Sequence, residues 1–181
     1  ATSADGATSV FVADLDSDGD LDILSSSYND DTIAWYENDG AANPSFSAAN
    51  IATSADGATS VFVADLDSDG DLDIISSSYL DDAIAWYEND GAADPSFGAA
   101  DIATSADGAY SVFVADLDSD GDLDILSASE SDNTIAWYEN DGAANPSFTA
   151  ADITTGGANA PYASDVRVAD MDNDGDLDII S

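Results

Sequence analysis

The sequence contains no cysteine and no histidine, and Arg167 is its single basic residue. These absences exclude disulfide bridges, thiolate or imidazole metal sites, and catalysis by either side chain. Against one arginine stand 39 acidic residues, which give the 181-residue chain a formal net charge of -38. A surface of this charge repels nucleic acid and anionic membranes, and it favours solubility in salty water, where counter-ions screen the self-repulsion.

Long hydrophobic runs are also missing. No stretch is apolar enough to span a membrane and no signal peptide is visible, so we expect no membrane insertion. Each apolar run is shorter than about ten residues and is bounded by Gly, Asp or Asn, which argues against a long amphipathic helix. Hydrophobic residues nevertheless make up 44% of the chain. That share distinguishes the chain from a disordered acidic tail and predicts a packed core.

Repetition is the feature that the sequence has in abundance. Residues 1–51 align without a gap with residues 52–102 and 103–153, and residues 154–181 begin a fourth, partial copy. We treat these four segments as the repeats of the chain. In the first repeat, the pattern predicts strands from Ser9 to Ala13, Leu21 to Ser26, Thr32 to Glu37 and roughly Ser45 to Ile51. Apolar residues on both faces of such strands predict an all-β fold of tandem four-stranded antiparallel blades, either part of a β-propeller ring or an open stacked array.

A nine-residue acidic loop joins the first two strands of every repeat. In the first repeat it runs from Asp14 to Asp22, with aspartate at every odd position and Gly19 at the sixth. Carboxylates this close repel one another unless a cation lies among them. The spacing favours Ca²⁺ over Mg²⁺, which demands tighter octahedral geometry. We expect side-chain ligation from positions one, three, five and nine, and ligation by the backbone carbonyl of Asp20, whose carboxylate would point to solvent.

The candidate calcium ligands are the five aspartates of each loop: Asp14, Asp16, Asp18, Asp20, Asp22, Asp65, Asp67, Asp69, Asp71, Asp73, Asp116, Asp118, Asp120, Asp122, Asp124, Asp170, Asp172, Asp174, Asp176 and Asp178. An EF-hand would need flanking helices and a glutamate at position twelve, where this chain has serine. An ordinary acidic turn would need only one or two of these residues. We therefore expect about one Ca²⁺ per repeat, and an extracellular or cell-surface location, where calcium is plentiful.

The acidic loop, the Asp-Ile-Leu-Ser that follows it and the segment Ile-Ala-Trp-Tyr-Glu-Asn-Asp-Gly resemble the FG-GAP/VCBS repeats of bacterial and marine extracellular proteins. They are also similar to the calcium loops of integrin α-subunit propellers. The resemblance covers essentially the whole chain. It implies four-stranded blades, Ca²⁺ held by the loop aspartates, and a role in adhesion or surface structure. Such propellers usually close with about seven blades, whereas this chain supplies about three and a half.

Three assemblies follow from this shortfall: a part of a larger ring, a ring completed by two chains, or an open array in which another copy completes the partial repeat. Near-identical repeats favour self-association, because the face that packs on the next repeat also fits another molecule. An edge strand from Leu177 to Ile180 would assist this contact. Arg167 replaces the phenylalanine of the other repeats, so we expect this face of the fourth repeat to differ, with the arginine either meeting a carboxylate or lying free at the surface.

Catalysis is not expected, because every repeat carries the same residues whereas an active site usually needs one asymmetric constellation. The glutamate outside the repeat pattern, Glu130, lacks an evident acid–base partner.

Aromatic pairs recur on the third strand of every full repeat: Trp35/Tyr36, Trp86/Tyr87 and Trp137/Tyr138. They favour a core between sheets; the alternative is a platform that stacks sugar rings. Tyr28, Tyr79 and Tyr110 lie nearer loops and are candidates for exposed contacts. The sequence thus predicts a calcium-binding structural or adhesive protein whose partners are other copies of itself or a cell-surface glycan or protein, with a lectin-like module as the alternative.

Overall fold

The structure is a computed structural model that describes residues 4–154 and 162–181. These residues form strands and no helix, and hence no helix that could cross a membrane. Blade 1 comprises β1 (Ala7–Ala13), β2 (Asp22–Ser27), β3 (Thr32–Asn38) and β4 (Phe46–Ala52); blade 2 comprises β5 (Ala58–Ala64), β6 (Asp73–Ser78), β7 (Ala83–Asn89) and β8 (Phe97–Ala103). Blade 3 comprises β9 (Ala109–Ala115), β10 (Asp124–Ser129), β11 (Thr134–Asn140) and β12 (Phe148–Thr154), and the half-blade comprises β13 (Arg167–Ala169) and β14 (Asp178–Ile180).

Each blade is an antiparallel sheet whose strands pair in chain order. The predicted strands are confirmed, with ends that differ by one or two residues. Short runs rich in Val, Ile and aromatic residues form these strands because their side chains fit a pleated sheet that is covered on both faces. The two middle strands are the most buried, whereas the fourth strand of each blade is largely exposed.

The hydrophobic core lies between blades. Leu24, Ile33 and Trp35 of blade 1 pack with Val61 and Val63 of blade 2, and equivalent clusters join blade 2 to blade 3 and blade 3 to the half-blade. Trp35 and Trp86 are 5% and 4% exposed. Trp35 and Trp86 therefore belong to the core, as the strand pattern favoured, and a sugar platform built on these two is wrong. Trp137 is half-buried against the cluster that joins blade 3 to the half-blade.

A row of aromatic rings connects the first strands of successive blades. The ring centroids of Phe11 and Phe62, and those of Phe62 and Phe113, are 5.1 Å apart. The Arg167 guanidinium extends the row, since it lies 5.8 Å from the centroid of Phe113. Its Nη1 is also 2.6 Å from a carboxylate oxygen of Asp165. The half-blade thus keeps the stacking with a cation in place of a ring, and the predicted carboxylate contact is confirmed.

Hydrogen bonds from side chains fix each blade to the next. The Asn89 side-chain amide donates to the backbone carbonyl of Leu15 in the acidic loop of blade 1, at 3.0 Å, and Asn140 does the same to Leu66, at 2.9 Å. At the other end of the blades, the Thr8 hydroxyl donates to the carbonyl of Ala58 at 2.9 Å. These bonds recur at the repeat spacing, so the orientation of one blade depends on the acidic loop of its neighbour.

Replacing Asn89 by alanine tests this link. We expect Asn89→Ala to lower the free energy of unfolding by about 1–3 kcal/mol, because it leaves the buried Leu15 carbonyl without its donor. The matched control is Asn38→Ala, since the Asn38 amide donates to Leu21 of its own blade. Denaturant titrations in calcium measure both variants, and equal losses would contradict the role given to the contact between blades.

Candidate metal centre

The acidic loop is shaped by hydrogen bonds from its own backbone. In blade 1 the Asp14 carboxylate accepts from the N–H groups of Asp18 and Gly19, both at 3.0 Å. The Asp18 carboxylate accepts from Asp20 N–H at 2.9 Å. Gly19 has a φ of 96°, a conformation that an L side chain rarely adopts. The glycine at the sixth position therefore allows the turn that gathers the first aspartates.

In every loop three carboxylates come together. Their oxygens lie within 4.8 Å of one another in the groups Asp14, Asp16, Asp18; Asp65, Asp67, Asp69; Asp116, Asp118, Asp120; and Asp170, Asp172, Asp178. Two oxygens on opposite sides of a Ca²⁺ ion, each at about 2.3–2.6 Å, are separated by about 5 Å. The donors are all oxygen, the type that a hard cation prefers. The residues thus fit a hard cation such as the calcium that the sequence predicts.

The ninth aspartate of the loop also accepts hydrogen bonds from the backbone. Asp22 is 1% exposed, and its two oxygens accept from Leu15 N–H at 3.2 Å and Asn38 N–H at 2.8 Å. Asp73 and Asp124 make the same pair of bonds. In the first three loops this residue lies outside the group of three, whereas Asp178 belongs to it in the half-blade. The ninth aspartate of a full blade therefore ties the loop to the third strand, and its predicted role as a ligand stays a prediction.

In the three full blades the seventh aspartate lies close to a turn. The Asp20 carboxylate lies against Gly40, in the turn between β3 and β4, so closely that a Cβ on residue 40 would overlap it. Gly40 also has a φ of 63°. Asp71 and Asp122 contact Gly91 and Gly142 in the same way. The predicted exposure of this side chain is therefore only partial in the full blades, where Asp20 is half-exposed, because the turn approaches the loop. Ligation by the Asp20 backbone carbonyl stays a prediction.

Burial raises the pKa values of several loop carboxylates. It raises the pKa of Asp73 to about 6, against the opposing effect of the N–H groups of Asn89 and Leu66. Burial also raises the pKa values of Asp16, Asp67 and Asp124. By contrast, the hydroxyl of Ser45 lowers the pKa of Asp39 in the neighbouring turn. The ionised form of these four loop carboxyl groups is thus disfavoured in the metal-free fold, mainly by burial and to a smaller extent by neighbouring carboxylates.

This pattern predicts an unusual pH dependence for the calcium-free protein. A carboxyl group whose pKa is higher in the folded chain binds a proton more tightly there, so protonation stabilises the fold. Between the unfolded pKa of 3.8 and the folded value of about 6 for Asp73, stability should therefore rise as the pH falls. We expect a higher melting temperature at about pH 5 than at about pH 7.5 in chelator. A lower melting temperature at about pH 5 would contradict the raised pKa values.

Sequence reasoning missed a pair of polar pockets between blades. One, of about 340 Å³, is lined by Asp81, Tyr87 and Asp101 of blade 2 and by the end of β4 and the linker after it. Its equivalent in blade 3, of about 210 Å³, is lined by Asp132, Tyr138 and Asp152 among others. Small alanines on the third strand leave this space. The sequence signal for these pockets is alanine and tyrosine at alternate positions of the third strand, so that they share one face of it. The pocket itself forms only when two blades pack.

The tyrosines near the loops also form a row. The ring centroids of Tyr28 and Tyr79 are 6.3 Å apart, and those of Tyr79 and Tyr110 are 6.4 Å apart. Tyr28 and Tyr79 are half-buried, and Tyr110 is exposed. The predicted surface exposure of these tyrosines is therefore confirmed for Tyr110 and only partial for the other two.

Comparison with known proteins gives a family and a fold. No match is found among the curated proteins. Among solved structures, the chain is similar to a lectin of Agrocybe aegerita, a β-propeller determined for its specific recognition of non-reducing terminal N-acetylglucosamine. The TM-score is 0.63 at 20% identity, over 94% of this chain and 46% of the lectin chain. At this identity the likeness shows the fold alone, and the chain spans about half the length of the lectin.

The FG-GAP-like repeat matches residues 14–76, 69–127 and 116–181. Together these three matches cover every acidic loop and all three full blades after β1. The chain therefore belongs to the FG-GAP-like repeat family.

Proposed function

We propose that this chain is an extracellular calcium-binding repeat protein with a structural or adhesive role and without catalytic activity. The observation that carries the proposal is the gathering of three carboxylates at the same strand junction in all four loops. Four bound Ca²⁺ ions would reduce the net charge from -38 to about -30. Because an ion that binds the folded loop alone stabilises the fold, calcium would act as a folding ligand.

The mechanism follows from what each loop touches. In the full blades the first three carboxylates of the loop would hold the ion, and in the half-blade Asp178 would join Asp170 and Asp172. The turn between the first two strands would then become rigid. The ninth aspartate connects that turn to the third strand of the same blade, and the carbonyl of Leu15 accepts from Asn89 of the next blade. Calcium would thus set both the geometry of a blade and its contact with a neighbour, and the blades would present a regular surface to cells or other molecules.

Calorimetric titration of the calcium-free chain tests the proposal. We expect about four Ca²⁺ ions per chain and much weaker binding of Mg²⁺. The variant Asp67→Asn should remove or weaken one site, whereas Asp101→Asn, which changes the charge equally outside the loops, should leave four. No calcium uptake by the folded chain would overturn the proposal.

A glycan-binding role is a second candidate, and the repeated pockets favour it. Their carboxylates and hydroxyls are groups that hydrogen-bond to sugar hydroxyls, and the larger pocket lies in the size range of small-ligand sites. The similar lectin recognises terminal N-acetylglucosamine, so that sugar is the first probe. Titration should show up to two sites per chain, which Asp101→Asn and Asp152→Asn remove one at a time, while Asp5→Asn serves as control. An absence of binding to this sugar and to a broad glycan array would remove the candidate.

A further inference from the structure

The two polar pockets between blades share a buried tyrosine. Tyr87 lines the pocket of about 340 Å³ in blade 2, and Tyr138 lines the pocket of about 210 Å³ in blade 3. The two side chains are 5% and 4% exposed. Every residue that lines either pocket belongs to the described part of the chain and to the three full blades or their linkers. We call these two spaces the tyrosine pockets.

Two carboxylates lie near the tyrosine hydroxyl of each pocket. Asp81 and Asp101 line the pocket of blade 2. Burial raises the pKa of Tyr87, and the negative charges of Asp81 and Asp101 raise it further. Their equivalents Asp132 and Asp152 line the pocket of blade 3 and act on its tyrosine in the same way. Each tyrosine pocket therefore places a buried hydroxyl between two negative charges.

No cationic side chain neutralises these charges. The chain has a single basic residue, Arg167, and its guanidinium lies beside Asp165 and over the ring of Phe113. The net charge of -38 adds to the negative potential of the pockets. A ligand that carries a positive charge is thus attracted, and an anionic ligand is repelled.

The lining suits an organic cation better than a metal ion. Among the described residues, the groups of three carboxylates within 4.8 Å lie in the acidic loops and not in the tyrosine pockets. The volume of the larger pocket is in the range of small organic ligands. Its lining also includes Ser54 and Ser78, which have the equivalents Ser105 and Ser129 in blade 3. Serine and tyrosine hydroxyls both donate and accept hydrogen bonds, as sugar hydroxyls do.

We propose that the tyrosine pockets prefer sugars that carry a free amino group, such as glucosamine, over N-acetylated and acidic sugars. This inference deepens the glycan-binding candidate described above and rests on it. The ammonium group of the amino sugar would lie beside the carboxylates, while the sugar hydroxyls would bond to the serine and tyrosine hydroxyls. Acetylation of the amine removes its charge, so N-acetylglucosamine keeps the hydroxyl contacts and loses the ionic attraction.

The two pockets differ at one position of the third strand. Thr134 lines the pocket of blade 3, where Ala83 lines that of blade 2. Threonine adds a hydroxyl and a methyl group to the lining, and its pocket is the smaller one. The pocket of blade 2 therefore leaves more space for a sugar ring, and we expect it to be the tighter site.

Ligand-observed NMR titration of the full chain in excess calcium and moderate salt tests the preference. At about pH 6.5, where an amine is protonated, glucosamine should bind about five- to tenfold more tightly than N-acetylglucosamine. Glucuronic acid should bind most weakly. Ethanolamine carries the same ammonium group without a sugar ring and should bind more weakly than glucosamine. Equal binding of ethanolamine and glucosamine would overturn the assignment of an amino sugar.

Matched variants separate the pocket from the overall charge of the chain. Asp152→Asn serves as the background, so that the pocket of blade 2 is measured alone. In it, Asp81→Asn should reduce the advantage of glucosamine several-fold, because one of the two carboxylates is gone. Asp94→Asn changes the charge equally outside the pocket and introduces the residue that the other repeats carry as Asn43 and Asn145. It should leave the advantage unchanged.

Two results would overturn the preference. One is equal binding of glucosamine and N-acetylglucosamine by the parent chain, and the other is an equal loss of the advantage in the Asp81→Asn and Asp94→Asn variants. Either result contradicts the charge preference alone, since the pockets would still bind sugar. If neither sugar binds and a broad glycan array is also negative, the glycan-binding candidate fails as well.

Discussion

Removal of calcium should lower the melting temperature of this chain by about 20 to 40 °C and weaken its β-sheet circular dichroism signal. A site kept at a hundred times its dissociation constant stabilises the folded state by about 2.7 kcal/mol, so four such sites contribute about 11 kcal/mol. For a chain of this size, each kcal/mol shifts the melting temperature by about 2 to 4 °C. The effect is large because all four acidic loops would lose their counter-charge together.

Thermal melts in excess calcium and in excess chelator measure the effect. Because calcium also screens surface charge, the chelator series needs a control at high sodium chloride, which screens the carboxylates without filling the loops. Replacement of calcium by magnesium should restore little of the loss. A melt that is unchanged in excess chelator would contradict a structural role for the metal.

Local patterns in the sequence were sufficient for the blades and for the acidic loops. Strand alternation, turn residues and the fixed repeat located every strand of the three blades to within one or two residues, because these signals act over a few positions. The gathering of Asp14, Asp16 and Asp18 was likewise predictable, since it depends on the turn that the loop makes by itself.

Contacts between distant segments were not predictable in the same way. The bond from Asn89 to Leu15 joins residues 74 positions apart, and its register exists only once two blades have packed. The approach of Gly40 to the Asp20 carboxylate depends on the angle between a loop and a turn. The repeated asparagine at the end of each third strand was a visible signal, although its turn propensity gave a sufficient local reason for it.

The ninth aspartate gives the second large expected effect, because it combines a possible ligand with a buried connection. Asp73→Ala should destabilise the chain in calcium and in chelator alike. The substitution leaves the N–H groups of Leu66 and Asn89 without their acceptor, at a cost of about 1–3 kcal/mol for each buried group. Relief of the buried charge offsets part of this cost, so we expect a net loss of about 1–4 kcal/mol in the free energy of unfolding.

Two matched variants separate the connection from metal binding. Asp67→Ala should cost stability only in calcium, because the Asp69 N–H that it contacts also donates to Asp65. In chelator it should be neutral or stabilising, since it removes a carboxylate whose pKa is raised by burial. Asp178→Ala, in the exposed loop of the half-blade, removes a member of the group of three. It also removes the acceptor of Met171 N–H, but this group is exposed to solvent, so the variant should resemble Asp67→Ala. Denaturant titrations in both conditions measure all three variants. If Asp73→Ala lost stability only in calcium, the ninth aspartate would be a ligand alone, and the connection between loop and third strand would contribute nothing to the fold.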